Sequence, residues 1–474
     1  MVEREQKHSD RRMLSEPWTC IRTRFNLPEL QASRPKHVKA TTLAFVRDSG
    51  NKRTVGGHDA GSQEASVVTL SDFPVLPRSS GKYLVIGTSL SQSRSFHCLN
   101  LPLTPFLNMP PIEDYRDSGR SDRELFARLS SVERWWIDHQ PFLEQHGYQL
   151  RPRYRPGWEP SWLRDESASF LRAEDHLSMH ALRPHLMDAR RISDNKLVLI
   201  KRIRRSSREI DIATYLSSAE MRKDPRNHSV PVLDVLNDPI DDTVAFLIMP
   251  FLRYIDDPPF ESLENVLDCC EQLLEGLAFM HVQGVAHRDC AYKNIMMDGD
   301  LLYPKGYHPM SIHSLPDDPY QMAPVRSRRG VQLKYYYVDF GISTRYAPDE
   351  PRQLVVGNAG LDQDVPELSN EIPYDPFKVD VFILGNFFRQ HFLEKYTNAN
   401  MLAPLVREMT AKEPVDRPSA EEAWRKFHEI RQGVSFLQSS WRLRPRDEPL
   451  PVTAVLTAVS LVRRPILTIE HIAC

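Results

Sequence analysis

Apolar positions fall into a few well-defined runs separated by polar, proline-rich stretches. Residues 1–118 contain short strand-like runs at 66–70 and 82–86 but no sustained period, and Pro, Gly and Ser interrupt them, so a largely disordered extension is expected. Residues 119–173 read as a helical and then basic, aromatic docking segment. Its helix is predicted to start at Ser121-Asp122-Arg123-Glu124, which has capping-box form, with Leu125, Leu129, Val132 and Trp136 at helical spacing. Pro141 should interrupt that helix and Gly147 close it. Residues 150–158 (LRPRYRPGW) are read as a strap packed on the next domain, with a partner or phosphate site as the alternative.

Residues 196–203 (KLVLIKRI) form an apolar, β-branched run around Lys201 and predict a strand. Ser206-Ser207-Arg208-Glu209 then opens a helix carrying Ile210, Ala213 and Leu216. Residues 228–236 and 244–252 read as two further strands. Residues 262–283 repeat apolar side chains every three or four positions (Leu263, Val266, Leu267, Cys270, Leu273, Leu274, Leu277, Met280) and predict a buried helix. Residues 298–334, rich in Pro, Tyr and Arg, are too polar for a core and too aromatic for a linker. An ordered surface insertion is expected there. Residues 433–474 read as a tail in which Trp441, Leu443 and the apolar run 452–462 pack back or meet a partner.

Composition narrows the function classes. In 474 residues, 61 Lys and Arg face 63 Asp and Glu, for a net charge of −2, so no nucleic-acid partner is expected. The run 452–462 is too short to span a bilayer, and the first residues (MVEREQKHSDRR) lack an apolar core, so neither a membrane segment nor a secretory signal is expected. The six cysteines show no C-x-x-C spacing, and reduced thiols in an intracellular, cytoplasmic or nuclear, protein are the simplest reading.

The chemistry gathers in His287-Arg288-Asp289-Cys290-Ala291-Tyr292-Lys293-Asn294 and, 45 positions past Asn294, in Asp339-Phe340-Gly341. These stretches resemble the H-R-D-x-x-x-x-N loop and D-F-G motif of protein kinases. Val198-Leu199-Ile200-Lys201 resembles the family's V-A-I-K strand, and Val365-Pro366-Glu367 its A-P-E. Residues 378–385 (KVDVFILG) resemble the helix that braces the catalytic loop, and residues 405–423 the last motif of the larger lobe. The resemblance covers roughly residues 174–432 and extends to the kinase-like proteins of mushroom-forming fungi. It implies an α+β, two-lobed protein-kinase-like fold: a small β-rich lobe over 174–252 and a larger helical lobe over 253–432, with irregular terminal extensions.

The resemblance also implies roles. Asp289 would take the proton of a substrate hydroxyl, and Asn294 and Asp339 would hold Mg²⁺. Lys201 would contact the phosphates of ATP with Glu209 positioning it, although Asp211 or Glu220 is open as an alternative to Glu209. Met249 would guard the adenine pocket, backbone groups near Phe251 and Leu252 would bond the base, and Met296 would floor it. His287, Arg288 and Asp380 would be structural, as would an ion pair of Arg417 with Glu367. Lys293 is the candidate to bring a cation to the transferred phosphate, with a solvent-facing lysine as the alternative.

Three departures from the family pattern stand out. No glycine lies between Gly157 and Gly276, so the phosphate lid expected near 179–188 (MHALRPHLMD) has none. Leu199 replaces a small alanine. Ala291 and Lys293 place the loop's cation at the tyrosine-kinase spacing. Between Arg345 and Glu367 there is no Ser or Thr, so Arg288 is expected to meet a fixed carboxylate (Asp349, Glu350, Asp362 or Asp364) in place of a phosphate. The expected function is an ATP- and Mg²⁺-dependent protein kinase, with serine or threonine favoured as acceptor. The alternative is a pseudokinase scaffold. The protein substrate is unknown, and the insertion 298–334 or the tail 433–474 would carry any partner surface.

Overall fold

Two helices lead into the sheet: α1 (Asp122–Phe126) and α2 (Ser131–Gln145). The computed structural model describes residues 122–164, 170–179, 183–347 and 350–449, so the expectations for 1–118, Ser121 and 452–462 lie outside the described residues. The capping box that opens α2 is Ser130 with Glu133. Pro141 lies inside α2 and does not stop it. Proline removes one backbone donor, but Trp136 and Leu143 are fully buried on either side and hold the helix through. Each such side chain contributes roughly 2–3 kcal/mol by burial. Gly147, at φ +88°, then turns the chain.

Next come β1 (Tyr148–Leu150), α3 (Ser161–Arg164), β2 (Leu186–Arg191), β3 (Leu197–Arg204), α4 (Arg208–Leu216), β4 (Asp234–Asn237) and β5 (Val244–Pro250). The five strands form one antiparallel sheet in the order β1-β2-β3-β5-β4. The edge strand β1 comes from the segment expected only to dock, so that segment is part of the sheet itself. The strand expected over 228–236 starts later, at Asp234.

Period-two alternation explains why β3 is apolar on both sides. Val198 and Ile200 pack with Met187, Ala189, Phe246 and Ile248 beneath Trp136, Leu143 and Tyr154 from the preceding segment. Leu197, Leu199 and Lys201 point the other way, toward the larger core. A sheet covered on both faces reads as a continuous apolar run. The helix α2 is what covers the outer face.

The remaining elements are β6 (Arg253–Tyr254), α5 (Leu263–Val282), β7 (Val285–Ala286), β8 (Ile295–Met297), β9 (Ser314–Leu315), β10 (Asp318–Met322), β11 (Tyr335–Tyr337), β12 (Thr344–Arg345), β13 (Val355–Gly357), β14 (Ser369–Tyr374), α6 (Pro376–Phe388), α7 (Ala403–Met409), α8 (Ala420–Gln432) and α9 (Phe436–Ser439). Helix α5 matches its predicted span, and its apolar face joins α6, α7 and α8 in the larger core. Cys269 and Cys270 are fully buried within it, and burial pushes both thiols well up. The tail folds back: Trp441 O accepts the Leu263 N–H at 2.9 Å, and Leu443 is buried. The described chain is therefore a mixed α and β fold with one five-stranded antiparallel sheet, four smaller sheets of two or three strands and a helical body.

Candidate functional site

Strand β3 carries Lys201 to the side of the sheet that faces the helical body. Its ammonium lies 2.6 Å from Glu209 Oε1 and 2.9 Å from Asp339 Oδ1. Glu209 is presented by the first turn of α4, which Ser207 caps. Asp211 and Glu220 are exposed, and Glu220 pairs with Lys223, so Glu209 is the partner. Burial disfavours the Lys201 charge, but the two carboxylates outweigh it and raise its pKa. Burial pushes the Glu209 carboxyl up, with Lys201 opposing. The half-exposed Asp339 goes the other way: burial raises it, and the nearby ammonium more than offsets that.

The loop after β7 is built on Asp380, which is completely buried in α6. Its two oxygens accept the N–H groups of His287 (2.7 Å) and Arg288 (2.5 Å), and His281 Nε2 lies 2.9 Å away. Arg288 is held at φ +65° and Asp339 at φ +66°, a region side chains rarely occupy, so both motifs carry local strain. His287 is buried with Nε2 3.2 Å from Val338 O, and its ring lies 5.1 Å from Phe340; burial lowers its pKa. Val338 N–H donates to Asn294 O at 3.0 Å. These contacts stitch the two motifs together although they lie far apart in sequence. The reason is topological: β8 pairs with β11, and residues 298–334 bulge from the turn between them, with the Asp298 N–H closing the neck on Lys334 O at 2.9 Å.

Asp289 sits at the mouth of this loop. Its Oδ1 accepts the Leu361 N–H at 2.7 Å, and its Oδ2 accepts from Asn294 Nδ2 at 2.8 Å. Burial pushes its carboxyl up to about 6, with the Leu361 N–H pulling down and the Asp339 charge pushing up. Asn294 also donates to Asp289 O at 3.0 Å, which spends its amide N–H₂ on one neighbour and leaves its carbonyl oxygen for another. Among the described residues no three His, Cys, Asp or Glu side chains converge as a metal centre. The oxygen donors on offer are two carboxylates and an amide, a set that suits a hard ion retaining much of its own water, as Mg²⁺ does. Lys293 is exposed on the turn beside Asn294.

Above the loop, Leu199 pairs with Met249, which is buried at the end of β5. The Phe251 N–H is not free for a ligand, because it donates to Leu197 O at 3.3 Å. The Leu252 N–H donates to nothing among the described residues. Met296, in β8, is partly buried against the larger core. Part of the glycine-free lid, 180–182, lies outside the described residues. The rest runs into β2, and just before that strand His185 O accepts the Arg202 N–H at 2.8 Å.

Arg288 does not meet a carboxylate among the described residues. Its guanidinium donates to Ile342 O (3.1 Å), Val356 O (3.2 Å) and the Tyr374 hydroxyl (3.2 Å). Carbonyls presented by the β13–β14 hairpin and the post-Asp339 loop engage its terminal nitrogens, and its Nε is buried without a partner among the described residues. Asp362 and Asp364 bond Asn386 instead, Asp364 also reaches Arg389, and Glu350 bonds the Ala347 N–H; Asp349 lies outside the described residues. Ser343 is buried with its hydroxyl on His287 O, and the Tyr346 hydroxyl is spent on Gln353 O. Glu367 and Arg417 form a two-pronged pair at 2.5 and 2.8 Å, and three backbone carbonyls take the remaining guanidinium donors.

Two contributors carried no sequence signal. The Leu361 contact with Asp289 is a backbone group that any residue supplies, next to Gly360 at φ +131°. His281 reads as one more position on α5 until Asp380 is seen beside it. No protein-family model matches this chain, and no curated protein matches it either.

Proposed function

We propose that the chain is an ATP- and Mg²⁺-dependent protein kinase with a two-lobed kinase-like fold, in which the sheet and α4 form the small lobe and the helical body the large one. The observation that carries this reading is the convergence of Lys201, Glu209 and Asp339 opposite a loop that presents Asp289 and Asn294. In this reading the Lys201 ammonium, already paired with Glu209, neutralises phosphate oxygens. Asn294 and Asp339 would hold Mg²⁺, whose contribution is to offset charge on the phosphates. Asp289 orients an acceptor hydroxyl and receives its proton as the oxygen–phosphorus bond forms and the bond to the ADP oxygen breaks. The acceptor is a protein serine or threonine hydroxyl, in preference to tyrosine. Lys293, exposed beside Asn294, supplies a cation near the transferred group.

A second reading, a pseudokinase scaffold, draws support from Leu199 beside the adenine slot and from the lid without glycine. Radiolabel transfer from ATP to a generic protein acceptor or to the chain itself separates the two. Transfer by the wild type that Asp289→Asn lowers by about 10²–10⁴-fold supports the kinase. Equal labelling by both proteins contradicts it, and no labelling despite nucleotide binding leaves the scaffold.

A further inference from the structure

The face of the sheet that carries Lys201 also carries a buried chain of charges running out of the insertion. Asp188 pairs with Leu199 in the β2–β3 register, two positions from the Leu186–Lys201 pair, so Asp188, Leu199 and Lys201 share one face. Arg151, which follows β1, binds Asp188 through two bonds of 2.7 and 3.2 Å. The same guanidinium reaches Glu174 Oε1 at 3.2 Å and Leu177 O at 2.6 Å. Glu174 Oε1 in turn lies 3.0 Å from Nε2 of His308, which belongs to the insertion. Side-chain exposure along this chain is 4% for Asp188, 10% for Arg151, 17% for Glu174 and 1% for His308.

The insertion is anchored firmly to the helical body. Arg253, from β6, lies over the adjacent rings of Tyr303 and Tyr307 at 4.2 and 4.4 Å and donates to Ile312 O at 2.7 Å. Arg328 is fully buried against Phe260 and donates to Ile255 O. A weaker exposed pair, Lys196 with Asp300 at 3.3 Å, spans the same gap at the start of β3. Polar groups buried this deeply are costly unless partnered, and His308 Nε2 and Glu174 Oε1 meet only when both sides of the gap are in place.

We infer that His308 and Glu174 are positioning residues: they latch the insertion to the sheet and fix the Asp188–Leu199 edge over the nucleotide, a task the glycine-free lid is not built to do with its backbone. This rests on the nucleotide reading above, although the latch itself does not. With the latch closed, the roof of the slot is held before a ligand arrives, so less ordering is left for binding to do.

The test has a ligand-free arm and a ligand arm. In the first, hydrogen exchange is followed by mass spectrometry in the full chain, for wild type, His308→Ala, Glu174→Gln and the double variant. Faster exchange in β2 and β3 is expected, with α5 unchanged and the double variant no worse than either single one. Unchanged exchange in β2, or equal loosening of α5, overturns the latch. In the second arm, His308→Ala should raise the KM for ATP by about fivefold with kcat nearly unchanged, and His308→Gln, which keeps a donor, should restore it. Equal losses in kcat and KM, or no rescue, overturn the positioning role. If no protein in the series binds nucleotide while the exchange pattern appears, the kinase reading fails and the latch stands.

Discussion

Burial alone does not explain the ionisable residues of this site; their partners do. Lys201 remains charged in a largely enclosed position because two carboxylates face it; burial raises both carboxyls, and it prevails at Glu209 while the Lys201 ammonium more than offsets it at Asp339. Glu209 therefore holds the lysine in place, while Asp339 keeps its charge. Glu209→Gln should keep the fold, lower nucleotide affinity by about tenfold, and leave α4 in place as judged by hydrogen exchange. At the far end of the molecule, Arg417 is buried and depends on Glu367. Glu367→Gln leaves a buried guanidinium without its counter-charge and should cost about 2–4 kcal/mol in urea unfolding. The three carbonyls that remain set the lower end of that range. A loss below about 0.5 kcal/mol would place the pair among ordinary surface ion pairs.

At the scale of elements, backbone groups of Ile342, Val356 and Leu361 engage the loop at Arg288 and Asp289. Arg288 is occupied by two carbonyls and a tyrosine hydroxyl, and Asp289 accepts an N–H from Leu361. An arginine whose two terminal nitrogens are already engaged by backbone and hydroxyl oxygens has less need of a phosphate partner. The purified protein treated with phosphatase should keep its full activity, and intact-mass spectra should show no stoichiometric phosphate at Tyr346 or Thr344. Loss of activity on dephosphorylation would contradict this. Elements also show where sequence reading succeeds. The span of α5 is legible because it has a capping serine, an unbroken apolar period and Gly284 at φ +73° just past its end. A side chain at Gly284 would run into Tyr346 O. The start of α2 was not legible, since Ser121 and Ser130 offer the same kind of cap. Pro141 misled because tertiary burial on either side overrides a local breaker.

For the whole molecule, the residue types of the candidate site and their order were readable because those side chains sit in short, recognisable stretches. Their supports were less so. The strand β1, the cover provided by α2 and the latch through His308 all depend on partners distant in sequence, and none follows from local period. The latch also has a pH signature. Burial raises the Glu174 carboxyl, but the bonds from His308 and Arg151 more than offset it, so its pKa lies below the ordinary glutamate value. A depressed acid stabilises the fold above its unfolded pKa, and that stability is lost as pH falls through the folded value. The Tm gap between wild type and Glu174→Gln should be full at neutral pH and close as the solution becomes more acidic than the ordinary glutamate range. A gap that widens on acidification would contradict the pairing.

The central claim is that Lys201, Asp289, Asn294 and Asp339 surround one nucleotide–metal complex. Titration of the full chain with ATP, followed by thermal shift with and without Mg²⁺, tests it most directly. The wild type should show a saturable rise in Tm that Mg²⁺ enlarges, reaching about 2–4 kcal/mol of added stability at saturating ligand. Asp339→Asn should lose the Mg²⁺ increment, and Lys201→Met most of the rise. A wild type whose Tm does not move with ATP, or moves equally in all three proteins, would contradict the claim.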